Sequence, residues 1–346
     1  MKIARAVRLA LVPAALALAP TGASADSVAD FYNGKTVKIV VGASMGGSYG
    51  LLAQFMSRHV SRHLAGAPTV VVQSMPGSGG NKAMNYTYTA GPQDGSVVSI
   101  VQISVVQESL FNPKIRFSAK GYQYFGRFTN ANIIGTAHKR SGLKSWEDIR
   151  KKSYTIGSVG RRNYTYIGPA LMNALAGAKF KIISGYRGTK QSYLAMEKAE
   201  VDAAATSWAT LNVNNAKEMS DGTYIPLFQM MGYREDHLKD FPSIAEFGKT
   251  KGEKAFVAII AAGSAIGRTM AGPPGMPKDR VAAWRNAFWA TVNDPAFVAD
   301  IKKRNSRLNP LNANDITKII DDAMNLPKED VKAAYAFYQK LLKATY

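Results

Sequence analysis

The feature that most constrains this 346-residue chain is a recurring unit in which a short β-branched run ends in a glycine-rich loop and the loop opens a helical pattern. Thr36–Val41 reads as a strand that enters the loop Gly42-Ala43-Ser44-Met45-Gly46-Gly47-Ser48-Tyr49-Gly50. A helical pattern follows from Leu51 to Leu64, burying Leu52, Phe55 and Met56 and exposing Arg58, His59, Arg62 and His63. Thr69–Gln73 is a second strand, followed by Met75-Pro76-Gly77-Ser78-Gly79-Gly80 and a helix reaching Tyr88; the turn Gly91–Gly95 leads to a third strand, Ser96–Ile103. The middle of the chain repeats the theme with strands at Tyr154–Ser158, Lys181–Ile183 and Val201–Thr206 and helices from Asn163 to Leu175 and Gln191 to Glu200. Ala255–Ala262 is read as a further strand, and the tail as four helices: Lys278–Val292, Pro295–Arg304, Ala313–Met324 and Lys328–Leu342. This alternation predicts parallel sheets with crossover helices. Two such units joined by extended segments predict two lobes, with the glycine loops at the carboxyl ends of the strands, where open α/β sheets bind ligands.

Composition narrows the function classes. The chain has no cysteine, which excludes disulfide scaffolds, thiolate zinc sites, iron–sulfur clusters and cysteine nucleophiles. Residues 1–25 read as a secretory signal: Lys2, Arg5 and Arg8, an apolar run from Leu9 to Ala19, then Ala23-Ser24-Ala25 before the cleavage site. The run is too short to span a bilayer, and cleavage after Ala25 lowers the formal +20 by three cations to +17. An exported, strongly basic protein attracts anions. Export argues against nucleic acid as the natural target, and no nucleic-acid reading motif is present.

Several motifs touch on chemistry. Gly42-Ala43-Ser44-Met45-Gly46 matches the G-x-S-x-G nucleophile elbow between a strand and a helix, so a serine hydrolase using Ser44 is the rival reading. Against it, no strand or glycine motif precedes Ser44 to build an oxyanion hole. Only His138 and His237 lie well downstream, and neither has a recognisable acid partner. His59 and His63 have a helical zinc-chelating spacing, but Arg58 and Arg62 flank them and no glutamate lies between, which favours a solvated basic face. Neither glycine loop fits the nucleotide P-loop or the dinucleotide fingerprint. Each still offers backbone N–H groups at a helix start, suited to a carboxylate. Arg161 and Arg162 also stand at a helix start, where cations oppose the helix dipole, a placement that suggests an anion between them.

With these residues in view, the chain resembles the periplasmic solute receptors of tripartite tricarboxylate transporters, the Bug-type receptors. The resemblance rests on Val37–Val41 with Gly46-Gly47, then Pro76-Gly77-Ser78-Gly79-Gly80-Asn81, then Pro92-Gln93-Asp94-Gly95. Gly157–Thr165, Gly185-Tyr186-Arg187-Gly188, Glu200-Val201-Asp202-Ala203, Phe241–Glu246, Pro277–Arg280 and Asn293-Asp294-Pro295 continue it in order. It implies a type II periplasmic-binding-protein fold: two α/β lobes joined by two crossing segments, a carboxylate held in the cleft, and no catalysis. It further implies an inner-membrane partner of one large and one small transporter subunit. The family usually carries G-G-x-x-D-x-x-A-R after the first strand. Here Gly50 stands in place of the acid and Gln54 in place of the arginine, and Arg161-Arg162 replaces small hydroxyl residues. These departures favour a more anionic cargo, a dicarboxylate or aromatic carboxylate, with Tyr49, Tyr164 and Tyr186 offering ring faces.

The expected lobes are residues 26–127 plus 249–346, and residues 128–248. The expected ligand contacts are Ser44, Gly46, Gly47, Ser48, Tyr49, Gly77, Ser78, Gly79, Ser104, Arg161, Asn163, Tyr164, Tyr186 and Ser207. No cofactor, no metal, no turnover and no nucleic acid are expected of a monomeric periplasmic protein. A sensor passing the same ligand signal to a membrane regulator has the same binding chemistry and stays open beside the hydrolase.

Overall fold

The structure, a computed structural model, describes residues 27–304 and 306–346; the leader and its cleavage site lie outside the described residues. In chain order the strands are β1 (Thr36–Val41), β2 (Thr69–Ser74), β3 (Val97–Val101), β4 (Gln123–Arg127), β5 (Ile133–His138), β6 (Tyr154–Ser158), β7 (Phe180–Ser184), β8 (Ala203–Ser207), β9 (Tyr224–Gln229), β10 (Thr269–Gly272) and β11 (Leu311–Asn312). The helices are α1 (Val28–Tyr32), α2 (Ser48–His59), α3 (Asn81–Asn85), α4 (Val105–Phe111), α5 (Tyr164–Ala176), α6 (Thr189–Glu197), α7 (Trp208–Asn214), α8 (Ala216–Ser220), α9 (Lys251–Ile266), α10 (Lys278–Asn293), α11 (Pro295–Lys302), α12 (Ala313–Met324) and α13 (Lys328–Lys343).

These elements form two sheets. The first has the order β11-β4-β10-β3-β1-β2, and the second β7-β6-β8-β5-β9. β1 is buried at Val37, Ile39, Val40 and Val41, as a strand covered on both faces must be. It pairs in parallel with β2 and β3, with Lys38 opposite Val71 and Val97. β10 enters antiparallel between β3 and β4. In the second sheet β6 runs parallel to β7 and β8, while β5 is antiparallel to β8 and β9. The chain leaves the first sheet after Arg127 and joins the second at Ile133. It returns from β9 through 3-10 turns into α9 and β10. The two passages run side by side: Arg268 N donates to Thr129 O at 2.9 Å, Phe128 N to Arg268 O at 2.9 Å, and Ala131 N to Ser264 O at 2.8 Å.

The stretch Ala255–Ala262, read from sequence as a strand, lies inside α9. Thr250 caps the helix from its side chain and Glu253 reaches back to the Thr250 N–H at 3.0 Å, closing a capping box. Because α4, α12 and α13 pack against α9, it is apolar nearly all round and shows no periodicity that distinguishes a buried helix from a strand. Phe256 of α9 stacks with Phe111 (6.1 Å) and Tyr338 (5.3 Å), and α13 also touches α5 of the second lobe. One apolar core therefore runs from Val105 and Ile260 to Tyr164 and Phe228.

The basic face expected on α2 also differs in part. His59 is buried, packed edge-on to Phe297 and bonded through Nε2 to Asp300 at 2.9 Å. His63 Nε2 meets Asp294 at 2.8 Å. Both acids lie on or beside α11, which covers this end of α2, so His59 in the helix and His63 in the 3-10 turn after it tie that end to α11, with His59 buried and His63 partly exposed.

Candidate functional site

Three loops leave the carboxyl ends of β1, β2 and β3 beside one another, and their backbones touch. A Cβ on Gly42 would stand 2.7 Å from Gly80 Cα, and one on Gly80 would stand 2.5 Å from the Gln102 side chain, so glycine is required at both places. Ser74 Oγ donates to Ala43 O at 2.8 Å and Met75 N to Val41 O at 2.8 Å, which fixes the second loop against the first. Gly77, Ser78, Gly79 and Gly80 all have positive φ, so the chain turns sharply before α3.

The start of α2 is left open. Its N-cap is Gly47, which offers no side-chain bond, and its first turn holds no acid. Among the described residues the N–H groups of Ser48, Tyr49 and Gly50 find no partner, leaving the positive end of the helix unsatisfied. Gly50 is closed to any side chain, since a Cβ there would lie 2.5 Å from Met45 Cα and Met45 O. Gln54 Nε2 pins that arrangement by donating to Met45 O (3.0 Å) and Gly50 O (3.1 Å).

Arg268 comes in from the returning passage. Its Nε donates to Ser48 Oγ at 3.1 Å, its Nη1 to Tyr49 Oη at 3.3 Å, and its guanidinium lies 4.1 Å above the Tyr49 ring centre. Tyr49 Oη also accepts from Ile103 N at 3.1 Å, and Ile103 O accepts from Tyr164 Oη at 3.2 Å. Tyr164 belongs to α5, so this relay joins the lobes. Burial pushes its phenol well above the ordinary range, which keeps it a neutral donor.

The second lobe places three more loops, after β6, β7 and β8. Asn163 caps α5, its Oδ1 accepting from Thr165 N (3.0 Å) and Thr165 Oγ1 (2.9 Å). Ser207 is buried and caps α7 through Thr210 N (3.3 Å). Arg161 donates to Leu342 O at the end of α13 and lies 5.6 Å from the Tyr166 ring, while Arg162 is exposed. Tyr186 is half-buried against the Gly157 backbone. The loops 42–50, 75–81, 102–104, 159–163 and 185–188 contain no Asp or Glu, while Arg161, Arg162 and Arg187 all lie in them.

The structure thus brings Gly46, Gly47, Ser48, Tyr49, Gly77, Ser78, Gly79 and Ser104 together at one end of the first sheet, with Tyr164 reaching them. Asn163, Ser207 and Arg161 have partners of their own within the second lobe or on α13. Ser44 is exposed, and every histidine is engaged elsewhere: His59 and His63 as above, His138 with Arg140 N, and His237 with Glu235 and Trp208. Sequence reasoning missed Arg268 and Gln102. For Arg268 a signal existed, since it is the only charged residue between Lys254 and Lys278.

Comparison with known proteins agrees with this architecture. Among solved structures, a TctC solute-binding protein from Polaromonas superposes with a TM-score of 0.64 at 16% identity, covering 90% of this chain and 99% of that one. MatC from Rhodopseudomonas palustris, with bound malate, gives 0.63 at 14%, covering 89% and 99%. A second R. palustris protein, solved with adipate, gives 0.64 at 15%, covering 87% and 97%. No curated protein sequence matches. The fold is the two-lobed one of periplasmic binding proteins. Residues 52–334 match the family described as "Tripartite tricarboxylate transporter family receptor", and the chain belongs to that family.

Proposed function

We propose that the protein captures a small carboxylate in the cleft between its lobes, 26–127 plus 249–346 and 128–248, and delivers it to a membrane transporter of one large and one small subunit. The observation that carries this reading is the open start of α2, where the N–H groups of Ser48, Tyr49 and Gly50 have no partner among the described residues and the loops 42–50, 75–81 and 102–104 hold no acid. Two structural relatives hold malate and adipate, both dicarboxylates. In this reading Ser44–Tyr49, Gly77–Gly79 and Ser104 receive the ligand from one side. Arg161, Asn163, Tyr164, Tyr186 and Ser207 close on it from the other, and the closed form is favoured only by the ligand's extra affinity for it. The protein works as an exported monomer, cleaved after Ala25, without turnover. The exposed Ser44, with no histidine near it, speaks against the hydrolase.

A thermal-shift screen of mono-, di-, tri- and aromatic carboxylates, with amino acids and sugars beside them, tests the reading. Stabilisation by at least one carboxylate is expected. A shift from sugars or amines and none from any acid overturns it. Ester hydrolysis lost in Ser44→Ala would restore the enzyme.

A further inference from the structure

The described residues bury three charged side chains outright, Glu108, Arg127 and Arg268. Two of them are provided for. Glu108 accepts from Asn81 Nδ2 at 2.9 Å and Asn112 Nδ2 at 2.5 Å. Arg127 has a partner on each nitrogen: Nε to Asn309 O at 3.0 Å, Nη2 to Asn309 Oδ1 at 3.1 Å, and Nη1 to Ala265 O. Glu235 and Asp315 also act on it by charge.

Arg268 is different. It is only 6% exposed, yet it meets two neutral hydroxyls and no carboxylate, and its Nη2 has no partner among the described residues. The side chain is aimed at the N-terminus of a twelve-residue helix, so a full positive charge faces a positive helix end. A buried guanidinium held by two hydroxyls and one aromatic face, with no carboxylate in contact, is under-compensated, and an adjacent helix end of the same sign adds to the deficit. Bracing Ser48 and Tyr49 does not require a charge. Nearby, Gln102 is buried between Gly42 and Gly80 and its Nε2 also lacks a partner among the described residues.

We infer that Arg268 is a specificity-determining residue of the cleft, and that an anionic carboxylate of the cargo seats on its guanidinium and on the open N–H groups at the start of α2. The inference rests on the receptor reading above and adds to it the residue that selects for charge. Ser48 and Tyr49 fix the guanidinium plane through Nε and Nη1, leaving Nη2 for the ligand. Charge-assisted bonds of this kind are the strong ones, and a bound carboxylate supplies the counter-charge that the fold leaves out. Arg268 also sits on the passage bonded to Thr129 and Phe128, so an anion held there is held at the point where the chain changes lobes.

Titration calorimetry of malate, adipate, citrate and benzoate into wild type, Arg268→Met and Arg268→Lys tests this. Whichever acid binds wild type should lose roughly 10- to 100-fold in Arg268→Met. Arg268→Lys should recover part of that loss, because it keeps the charge but not the fork. The ligand-free melting temperature of Arg268→Met should stay close to wild type. Binding to Arg268→Met within threefold of wild type overturns the inference and leaves the carboxylate reading standing, with the arginine as a brace. Wild type that binds none of the four acids overturns the reading and the inference together. Should Arg268→Met not fold, Arg268→Lys decides: unchanged affinity, with the fork gone, overturns the role given to Nη2, and a loss above fivefold supports it.

Discussion

The two lobes use the same unit, a parallel strand, a loop and a helix, but finish their helices differently. In the first lobe α2 begins at Gly47, α3 at Gly80 and α4 at Ser104, and none of the three N-caps makes a side-chain bond. In the second lobe Asn163 caps α5 and Ser207 caps α7, while α6, at Gly188, and the short α8, at Asn215, are left bare. A side-chain cap contributes about 1 kcal/mol. The first lobe therefore forgoes that stability after β1, β2 and β3, while the second keeps it after β6 and β8. The difference teaches where each lobe is committed. Open N–H groups suit a partner that comes and goes, and capped ones suit a wall that the partner closes against.

The largest test of this contrast is steric. Gly42→Ala puts a Cβ 2.7 Å from Gly80 Cα and 2.8 Å from Gly80 O, both backbone, whereas Gly160→Ala in the equivalent second-lobe loop meets nothing within 4 Å. We expect Gly42→Ala to lose about 2–3 kcal/mol and Gly160→Ala to stay within about 0.5 kcal/mol of wild type in urea unfolding. Equal losses would show that the first-lobe loops are no more tightly packed than those of the second.

Next comes the relay between the lobes. Tyr164→Phe removes the donor to Ile103 O and should destabilise the protein by about 1–1.5 kcal/mol. Scattering should also report a more open ligand-free form. A variant as stable and as compact as wild type would mean that the relay does not hold the lobes together. Smaller effects, of opposite sign, follow from the caps. Asn163→Ala should lower stability by about 1 kcal/mol. Gly47→Asp should raise it by a few tenths of a kcal/mol or more, because the extended backbone at Gly47 (φ −88, ψ 171) accepts a side chain and the new carboxylate bonds the free N–H groups. The same change should weaken carboxylate binding, since the protein then fills its own anion site. Tighter binding in Gly47→Asp would break the argument.

How much of this could be read from the sequence depends on how local the cause is. The strands β1 to β3 and β6 to β8 were legible because β-branched runs and glycine loops carry their own signal within ten residues. The helix start at Asn163 was legible for the same reason, whereas α2 begins at Ser48, earlier than the Leu51 that its apolar pattern suggests. α9 was not, because burial on all sides erased its period. Arg268 stood out only as a lone charge between Lys254 and Lys278, and its place was not legible because the groups that give it meaning, Ser48 and Tyr49, lie 220 and 219 residues away in sequence. His59 was read as exposed for a similar reason, with Asp300 standing 241 residues off. Local chemistry announced the loops, and only the fold could announce which buried charge faces them.

The smallest effect is a pH dependence that the two lobes share. Asp294, beside the first lobe's α11, accepts from His63 Nε2 (2.8 Å), Arg62 Nε (2.8 Å) and Ala296 N (2.8 Å), and its carboxyl is held down to about 2, chiefly by the His63 bond. Asp148, in the second lobe, is also held down to about 2, chiefly by Lys151 Nζ at 2.6 Å, with the N–H groups of Lys144 and Ser145 behind it. In each case the folded carboxyl titrates below the ordinary unfolded value near 3.9. Its stabilisation is therefore complete above about pH 4 and is lost as pH falls toward 2. Asp294→Asn and Asp148→Asn keep an acceptor for the backbone N–H groups and remove only the charge. The gap between wild type and each variant, read as urea midpoint against pH, should shrink below pH 4 in both. The Asp148 gap should then stay flat from about pH 5 to 8, because Asp148 holds the Lys151 ammonium above its ordinary range and the lysine keeps its charge throughout that window. Because both acids lie at the surface, the changes should be small and should fade in high salt. In either variant, a gap unchanged from pH 7 down to pH 2 would show that the paired carboxylate charge contributes nothing to stability.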